Sequence, residues 1–77
     1  MKQVQISLNS IDKVKSFVND VTKFDYDFDL VSGRYVIDAK SIMGIFSLDL
    51  SQDLELTIQN DEDIDAILEA LKDFIVK

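Results

Sequence analysis

A serine in the middle of the chain is the side chain best placed for chemistry. Ser41 follows an alternating run of residues and precedes a cluster of bulky apolar residues. This position is typical of a helix N-cap, because a serine hydroxyl accepts a hydrogen bond from an unpaired amide of the first helical turn. The sequence therefore predicts a short helix that begins after Ser41.

The predicted short helix is apolar almost all the way round. Helical spacing places Ile45 and Leu48 on one side, with Ile42, Met43 and Phe46 largely around the other. Such a helix is either wedged between two layers of the fold or shows an apolar face to a partner. The sequence alone leaves both interpretations open.

Three aspartates at alternate positions, Asp25, Asp27 and Asp29, are a second candidate for chemistry. Carboxylates bind Ca²⁺ and Mg²⁺, but alternate residues of a strand lie about 7 Å apart, too far for all three to reach one ion unaided. The pattern therefore favours a solvent-exposed acidic face over a metal site. No metal site and no cofactor are predicted.

Composition excludes several kinds of function. The 77 residues contain no His and no Cys, which rules out disulfides and zinc sites of the usual ligand types. No nucleophile–base pair or Gly-rich phosphate loop is present, so we predict no catalytic residue and no enzyme activity. The formal net charge of −7 opposes binding to nucleic acids and to anionic membranes.

Length and patterning predict one soluble, cytoplasmic domain spanning residues 1–77. No basic segment followed by an apolar run is present, and no apolar stretch approaches the roughly 20 residues that span a bilayer. The absence of Pro and the presence of only two Gly argue against linkers and repeats.

Hydrophobic periodicity gives the order strand, helix, strand, strand, helix, strand, helix. Strands are predicted from the alternating segments 4–8, 24–30, 34–39 and 54–58, with a turn at Ser32-Gly33. Four strands with one apolar face each require a single covering layer, and two amphipathic helices supply it. The prediction is an α+β fold, an open-faced two-layer sandwich with a four-stranded antiparallel sheet in the order βαββαβα.

The two long helices are predicted from their apolar stripes and their caps. The first is capped by Asn9 or Ser10 and the last by Asn60 or Asp61. The stripe of the first comprises Val14, Phe17, Val18 and Val21, and that of the last Ile64, Ile67, Leu68, Leu71 and Ile75. Lys72 and Lys77 are assigned to the C-terminal end of the last helix, where cations are favourable.

The segment Lys40-Ser41-Ile42-Met43-Gly44, followed by Ser47-Leu48, resembles the serine-phosphorylation segment of HPr, the phosphocarrier protein of the bacterial sugar phosphotransferase system. The stretch Lys23–Asp27, the strand pair around Gly33 and the order of elements are also similar to that family. The resemblance implies the HPr fold over essentially the whole chain.

The resemblance implies a regulatory site without a carrier site. The family's acceptor histidine lies in a Gly-x-His-x-Arg-Pro segment, whereas the corresponding residues 8–13 of this chain read Leu-Asn-Ser-Ile-Asp-Lys. Ser41 matches the serine that HPr kinase/phosphorylase modifies in HPr of Gram-positive bacteria and in its Crh paralogues, which also lack the histidine. The chain is thus similar to a Crh-like regulatory protein of carbon catabolite control.

The family's use of the exposed side of this helix implies the partner-binding residues Lys40, Ile42, Met43 and Phe46. The implied partners are HPr kinase/phosphorylase and a transcriptional regulator or enzyme that docks on the Ser41 helix. The oligomeric state is expected to be a monomer or a weak homodimer. The alternative is a structural or protein-interaction module on the same fold, with no phosphorylation and with Ser41 as a cap contributing roughly 1 kcal/mol.

Overall fold

A computed structural model of the protein describes residues 1–76. It contains four strands and three helices in the predicted order βαββαβα. Their bounds are β1 Lys2–Ile6, α1 Ile11–Val21, β2 Phe28–Ser32, β3 Tyr35–Asp38, α2 Ile42–Phe46, β4 Leu54–Ile58 and α3 Ile64–Ala70.

The four strands form one antiparallel sheet in the order β1-β4-β2-β3. Leu56 of β4 lies opposite Val4 on one side and Leu30 on the other, and Leu30 in turn faces Ile37 of β3. Because opposite residues of an antiparallel pair point to the same side, this register gathers the apolar side chains on one face. That face packs with α1 and α3 in one buried core, which confirms the predicted two-layer α+β fold.

Helix α1 begins and packs as predicted. The Ser10 hydroxyl oxygen accepts a hydrogen bond from the Lys13 amide at 3.1 Å. Val14, Phe17 and Val21 are buried at 0% exposure, as their three-and-four spacing requires. The predicted stripe of this helix is therefore confirmed.

The second strand begins later than the sequence predicts. Only the half from Phe28 onward pairs in the sheet, whereas residues 24–27 form a bend after α1. Backbone groups of this bend bond elsewhere: the Phe24 carbonyl accepts from the Lys40 ammonium at 2.8 Å, and the Asp27 carbonyl accepts from the Gln59 amide at 3.0 Å. The apolar–acidic alternation of residues 24–30 therefore begins before the paired strand, which starts at Phe28.

The prediction of an α3 cap at Asn60 or Asp61 is wrong. The N-cap is Asp63, which has φ +57° and makes no side-chain capping bond. Its carboxylate instead accepts a hydrogen bond from the Tyr26 hydroxyl at 2.7 Å. The Asn60 side chain folds back on the Glu62 backbone and shapes the preceding loop.

Helix α3 also ends earlier than its apolar stripe predicts, at Ala70. The following turn buries Phe74, whose ring packs edge-on against Phe17 with centroids 5.6 Å apart. Ile75 forms an isolated bridge to Ile6 of β1. Lys72 consequently lies beyond the helix rather than in its last turn, and Lys77 lies outside the described residues.

Within residues 1–76, no helix has the length and apolar character that crossing a membrane requires.

Candidate functional site

The turn between β3 and α2 positions Ser41. Its amide donates to the Asp38 carbonyl at 3.0 Å, and its backbone is extended, with φ −94° and ψ 101°. The hydroxyl oxygen accepts from the Gly44 amide at 3.2 Å. Ser41 is therefore the N-cap of α2, as predicted, and its side chain is exposed to solvent.

Helix α2 has one buried side and one exposed side. Ile45 is fully buried and Leu48, just beyond the helix, is 9% exposed. Met43 is 76% exposed and Phe46 39% exposed, while Ile42 is half-buried against the core. The helix is thus not enclosed by two layers, and an apolar surface consisting of Met43 and Phe46 faces solvent beside Ser41.

Lys40 contacts the fold itself. Its side chain is half-buried, and its ammonium lies 5.7 Å from the centroid of the Phe28 ring while it donates to the Phe24 carbonyl. A cation near an aromatic face gains electrostatic attraction to the ring. Of the four predicted partner-binding residues, Lys40 is therefore the one whose functional group is already engaged within the protein.

Negative charge adjoins the serine. The carboxylate of Asp38 is exposed and accepts from the backbone amide of Lys40 at 2.9 Å. This bond closes the turn that leads into Ser41 and holds a carboxylate in that turn. An anionic modification of Ser41 would therefore add charge to a turn that already carries the Asp38 carboxylate.

The family model described as the PTS HPr component phosphorylation site matches residues 13–77. The chain belongs to the PTS-HPr family. HPr-C-His from Thermoanaerobacter tengcongensis has 31% sequence identity and a TM-score of 0.77, with 95% of this chain and 89% of that chain covered.

Two further members of this fold group are similar in structure. HPr from Bacillus anthracis has 29% identity and a TM-score of 0.71, covering 97% of this chain and 94% of its own. Crh from Bacillus subtilis, whose structure is a domain-swapped dimer, has 23% identity and a TM-score of 0.65, covering 94% and 88%. At that identity the likeness to Crh supports the fold alone.

The residues before and within the first turn of α1 differ in chemistry from a phosphohistidine site. Leu8 is buried, Ser10 caps the helix, and Ile11 is 62% exposed. The family-model match begins at residue 13, after these positions. No imidazole is present anywhere in this HPr-family chain. The exposure of Ile11 is not indicated by the sequence, because Ile11 lies three residues before Val14 and seven before Val18, in register with the stripe of α1.

The three alternating aspartates do not converge. Among the residues that the structure describes, no group of three or more potential metal ligands comes together. Asp25 and Asp27 lie in the bend before β2, whereas Asp29 lies in the sheet and accepts from the Gln59 side-chain amide at 2.7 Å. Asp29 therefore has a role in packing adjacent chain segments.

A hydrogen bond joins the bend before β2 to the start of α3, and the sequence does not indicate it. The Tyr26 hydroxyl donates to the Asp63 carboxylate, and this bond, together with nearby negative charge, raises the pKa of Tyr26 to about 12. The two residues are 37 positions apart, so no local pattern indicates the pair. This contact joins the bend before β2 to the start of α3 and does not involve Ser41.

Proposed function

We propose that this HPr-family protein is regulatory, that Ser41 is its phosphorylation site, and that it carries no phosphohistidine. The observation that carries the proposal is an exposed, helix-capping serine beside the exposed apolar residues Met43 and Phe46, in a chain without histidine. A modification at Ser41 would change the charge of a surface suited to binding another protein.

Chemistry supports the exclusion of a carrier role. Transfer through phosphohistidine needs an imidazole nitrogen that accepts a phosphoryl group and releases it to the next protein. Neither serine at the relevant positions, Ser10 or Ser41, can replace it, because a phosphate ester of serine is far more stable to transfer. We therefore expect that phosphoenolpyruvate and enzyme I leave the protein unphosphorylated; an acid-labile adduct formed under those conditions would contradict the proposal.

Local geometry supports Ser41 as an acceptor. Its hydroxyl is exposed and its backbone lies in an extended conformation between a turn and a helix. Amides of a first helical turn have no partners within the helix, and they favour negative charge. The Asp38 carboxylate, three residues before Ser41 in the same turn, would act in the opposite sense and reduce the benefit of these amides.

One observation favours the alternative, a protein-interaction module on the HPr fold without phosphorylation. Ser10 and Ser41 cap their helices with nearly equal geometry, their hydroxyl oxygens lying 3.1 and 3.2 Å from the amides they accept from. Capping alone therefore accounts for a serine at either position, at roughly 1 kcal/mol each. The regulatory function requires that a kinase phosphorylates Ser41 and not Ser10, whereas the alternative requires phosphorylation of neither.

The deciding experiment is phosphorylation by HPr kinase/phosphorylase with ATP, followed by intact-mass measurement. We expect one phosphoryl group on the wild-type protein and on Ser10→Ala, and none on Ser41→Ala. The Ser10→Ala variant controls for the loss of a capping hydroxyl. An unmodified wild-type protein, or modification that persists in Ser41→Ala, would favour the module without a phosphosite at Ser41.

A second experiment tests the docking surface. Met43→Asp should leave the fold nearly unchanged and abolish partner capture, because an exposed site tolerates a charge whereas the centre of an interface does not. Ile45→Asp is the matched control, since Ile45 lies on the buried side of the same helix and its substitution should unfold the domain. The captured protein is expected to be a transcriptional regulator or a metabolic enzyme that distinguishes Ser41-phosphorylated from unmodified protein.

A further inference from the structure

The two edges of the sheet are not equivalent. Along β1, the chain segment after α3 covers part of the edge: the Val76 amide donates to the Gln5 carbonyl at 2.9 Å, and the Ser7 amide donates to the Phe74 carbonyl at 2.8 Å. β3 forms the other edge and, within residues 1–76, pairs with β2 only. The edge of β3 is therefore the one open to another strand.

Edge strands of natural proteins are commonly shielded by proline, lysine, a bulge, charged side chains or a very short length. β3 is short and ends in the charged Asp38, but it contains no proline and no lysine. β3 instead contains Tyr35, Val36 and Ile37 in succession, three residue types favoured in strands. Tyr35 is 70% exposed and Val36 is 64% exposed.

The ladder fixes which backbone groups point outward. The Ala39 amide donates to the Phe28 carbonyl at 2.8 Å, which makes Phe28 and Ala39 a hydrogen-bonded pair. Hydrogen-bonded pairs alternate along an antiparallel ladder, so Ile37 also turns its backbone groups toward β2. The amide and carbonyl of Val36 consequently point away from the sheet.

The sequence around Val36 is complementary to itself. When two copies of β3 are placed antiparallel about Val36, the outward groups of the two Val36 residues face each other in a hydrogen-bonded pair. The same register sets Arg34 of each copy opposite Asp38 of the other, and Tyr35 opposite Ile37. Opposite charges and aromatic–β-branched pairs are both favourable across strands.

Apolar character also continues across this edge on the open face of the sheet. Val31 of β2 lies opposite Val36 of β3. In the paired arrangement, the Val31 and Val36 side chains of both copies form one row on the same face, because opposite residues point to the same side. The exposed valine of the edge is thereby covered.

We propose that the edge of β3 binds a second copy of this chain, in antiparallel register centred on Val36, to form a continuous eight-stranded sheet. The proposal is independent of Ser41 and involves no exchange of segments between copies. A four-residue strand covers less area than the roughly 1,000 Å² that a stable interface needs, and each copy carries a net charge of −7. The dimer is therefore weak, and we expect dissociation constants on the order of 0.1 to 1 mM.

Sedimentation equilibrium at about 0.15 M salt, where repulsion beyond roughly 8 Å is screened, tests the association. The average mass should rise with concentration from the 8.8 kDa of one chain toward twice that value. Val36→Lys, which sets two ammonium groups opposite each other, should weaken association by about tenfold or more. A protein that stays monomeric to about 1 mM, or a dimer that Val36→Lys does not weaken, would overturn the proposal.

A charge exchange tests the register. Arg34→Asp and Asp38→Arg should each dimerise poorly alone, since each places like charges opposite one another. A mixture of the two variants should associate, because both cross-strand pairs then have opposite charge. Circular dichroism of each variant checks that it keeps the secondary structure of the wild type. Failure of folded variants to associate preferentially in the mixture would show that this register is wrong.

Discussion

Phe28 joins the core to the Ser41 turn, and its truncation is the most informative test of the fold. The side chain is 1% exposed. Its ring centroid lies 6.3 Å from that of Phe24, and the Lys40 ammonium lies over the ring. Phe→Ala in a core costs about 3 to 5 kcal/mol, through lost burial and the cavity left behind. A domain of 77 residues has a free energy of unfolding of only about 4 to 12 kcal/mol.

Urea unfolding should therefore show that Phe28→Ala has lost a large part of its free energy of unfolding, with a midpoint far below that of the wild type. Phe28→Leu keeps most of the volume, and we expect a loss of about 1 kcal/mol, which lowers the midpoint by about 0.5 to 1 M at an unchanged slope. Phe46→Ala is the control, because Phe46 is 39% exposed and its truncation should cost less. A midpoint for Phe28→Ala no lower than that of Phe46→Ala would refute the assignment of the buried face.

Three further perturbations test the caps, the bend and the hairpin. Ser41→Ala and Ser10→Ala should each lower the free energy of unfolding by about 1 kcal/mol, measured in urea, since each removes a capping acceptor. The folded state raises the pKa of Tyr26 from 10.0 to about 12, so the contribution of Tyr26 to stability is fully present below pH 10 and is lost between pH 10 and 12. The thermal unfolding midpoint of Tyr26→Phe should therefore decrease less steeply with pH over that range than the midpoint of the wild type. Gly33 has φ +59° at the first central position of a two-residue hairpin, so Gly33→Ala should cost about 1 kcal/mol in the same urea assay.

Elements with a strong period could be predicted from the sequence because their side chains sort by face. The alternation of Leu54, Leu56 and Ile58 identifies β4, and all three are buried. The same reasoning gives α1, since the spacing of Val14 and Phe17 is the spacing of one helical side. In both elements the buried positions recur with the period of the secondary structure, so the sequence pattern predicts the element and its buried side together.

Element ends were predicted less well because distant contacts decide them. Several acidic residues precede α3, and each is an acceptable cap by type. The Tyr26 hydroxyl donates a hydrogen bond to the Asp63 carboxylate, and the Asn60 side chain donates to the Glu62 carbonyl within its own loop. The predicted stripe assumed that α3 continues, and it therefore assigned Ile75 to the buried side. The helix ends at Ala70 instead, and the turn that follows buries Phe74.

The candidate site was predicted in part for the same reason. The cap at Ser41 and the burial of Ile45 follow from local spacing, and the structure has both. The position of the Lys40 side chain depends on the Phe24 carbonyl, 16 residues away, and on the Phe28 ring. Adjacency to Ser41 in sequence therefore does not place this cation beside the hydroxyl group.

The anchoring of α2 determines how a modification of Ser41 would act. A helix of five residues is too short to be stable alone, so it depends on tertiary contacts. Ile45 supplies the buried anchor, and Lys40 fixes the entry to the helix through contacts with β2 and the bend before it. Neither contact involves the Ser41 hydroxyl, so we expect both to persist if that group is esterified. A phosphate, with close to two negative charges, would therefore change the potential beside Met43 and Phe46 while leaving their positions largely unchanged. Partners would then be distinguished by charge: a basic surface would bind the modified protein more tightly, and an acidic surface would bind it less tightly.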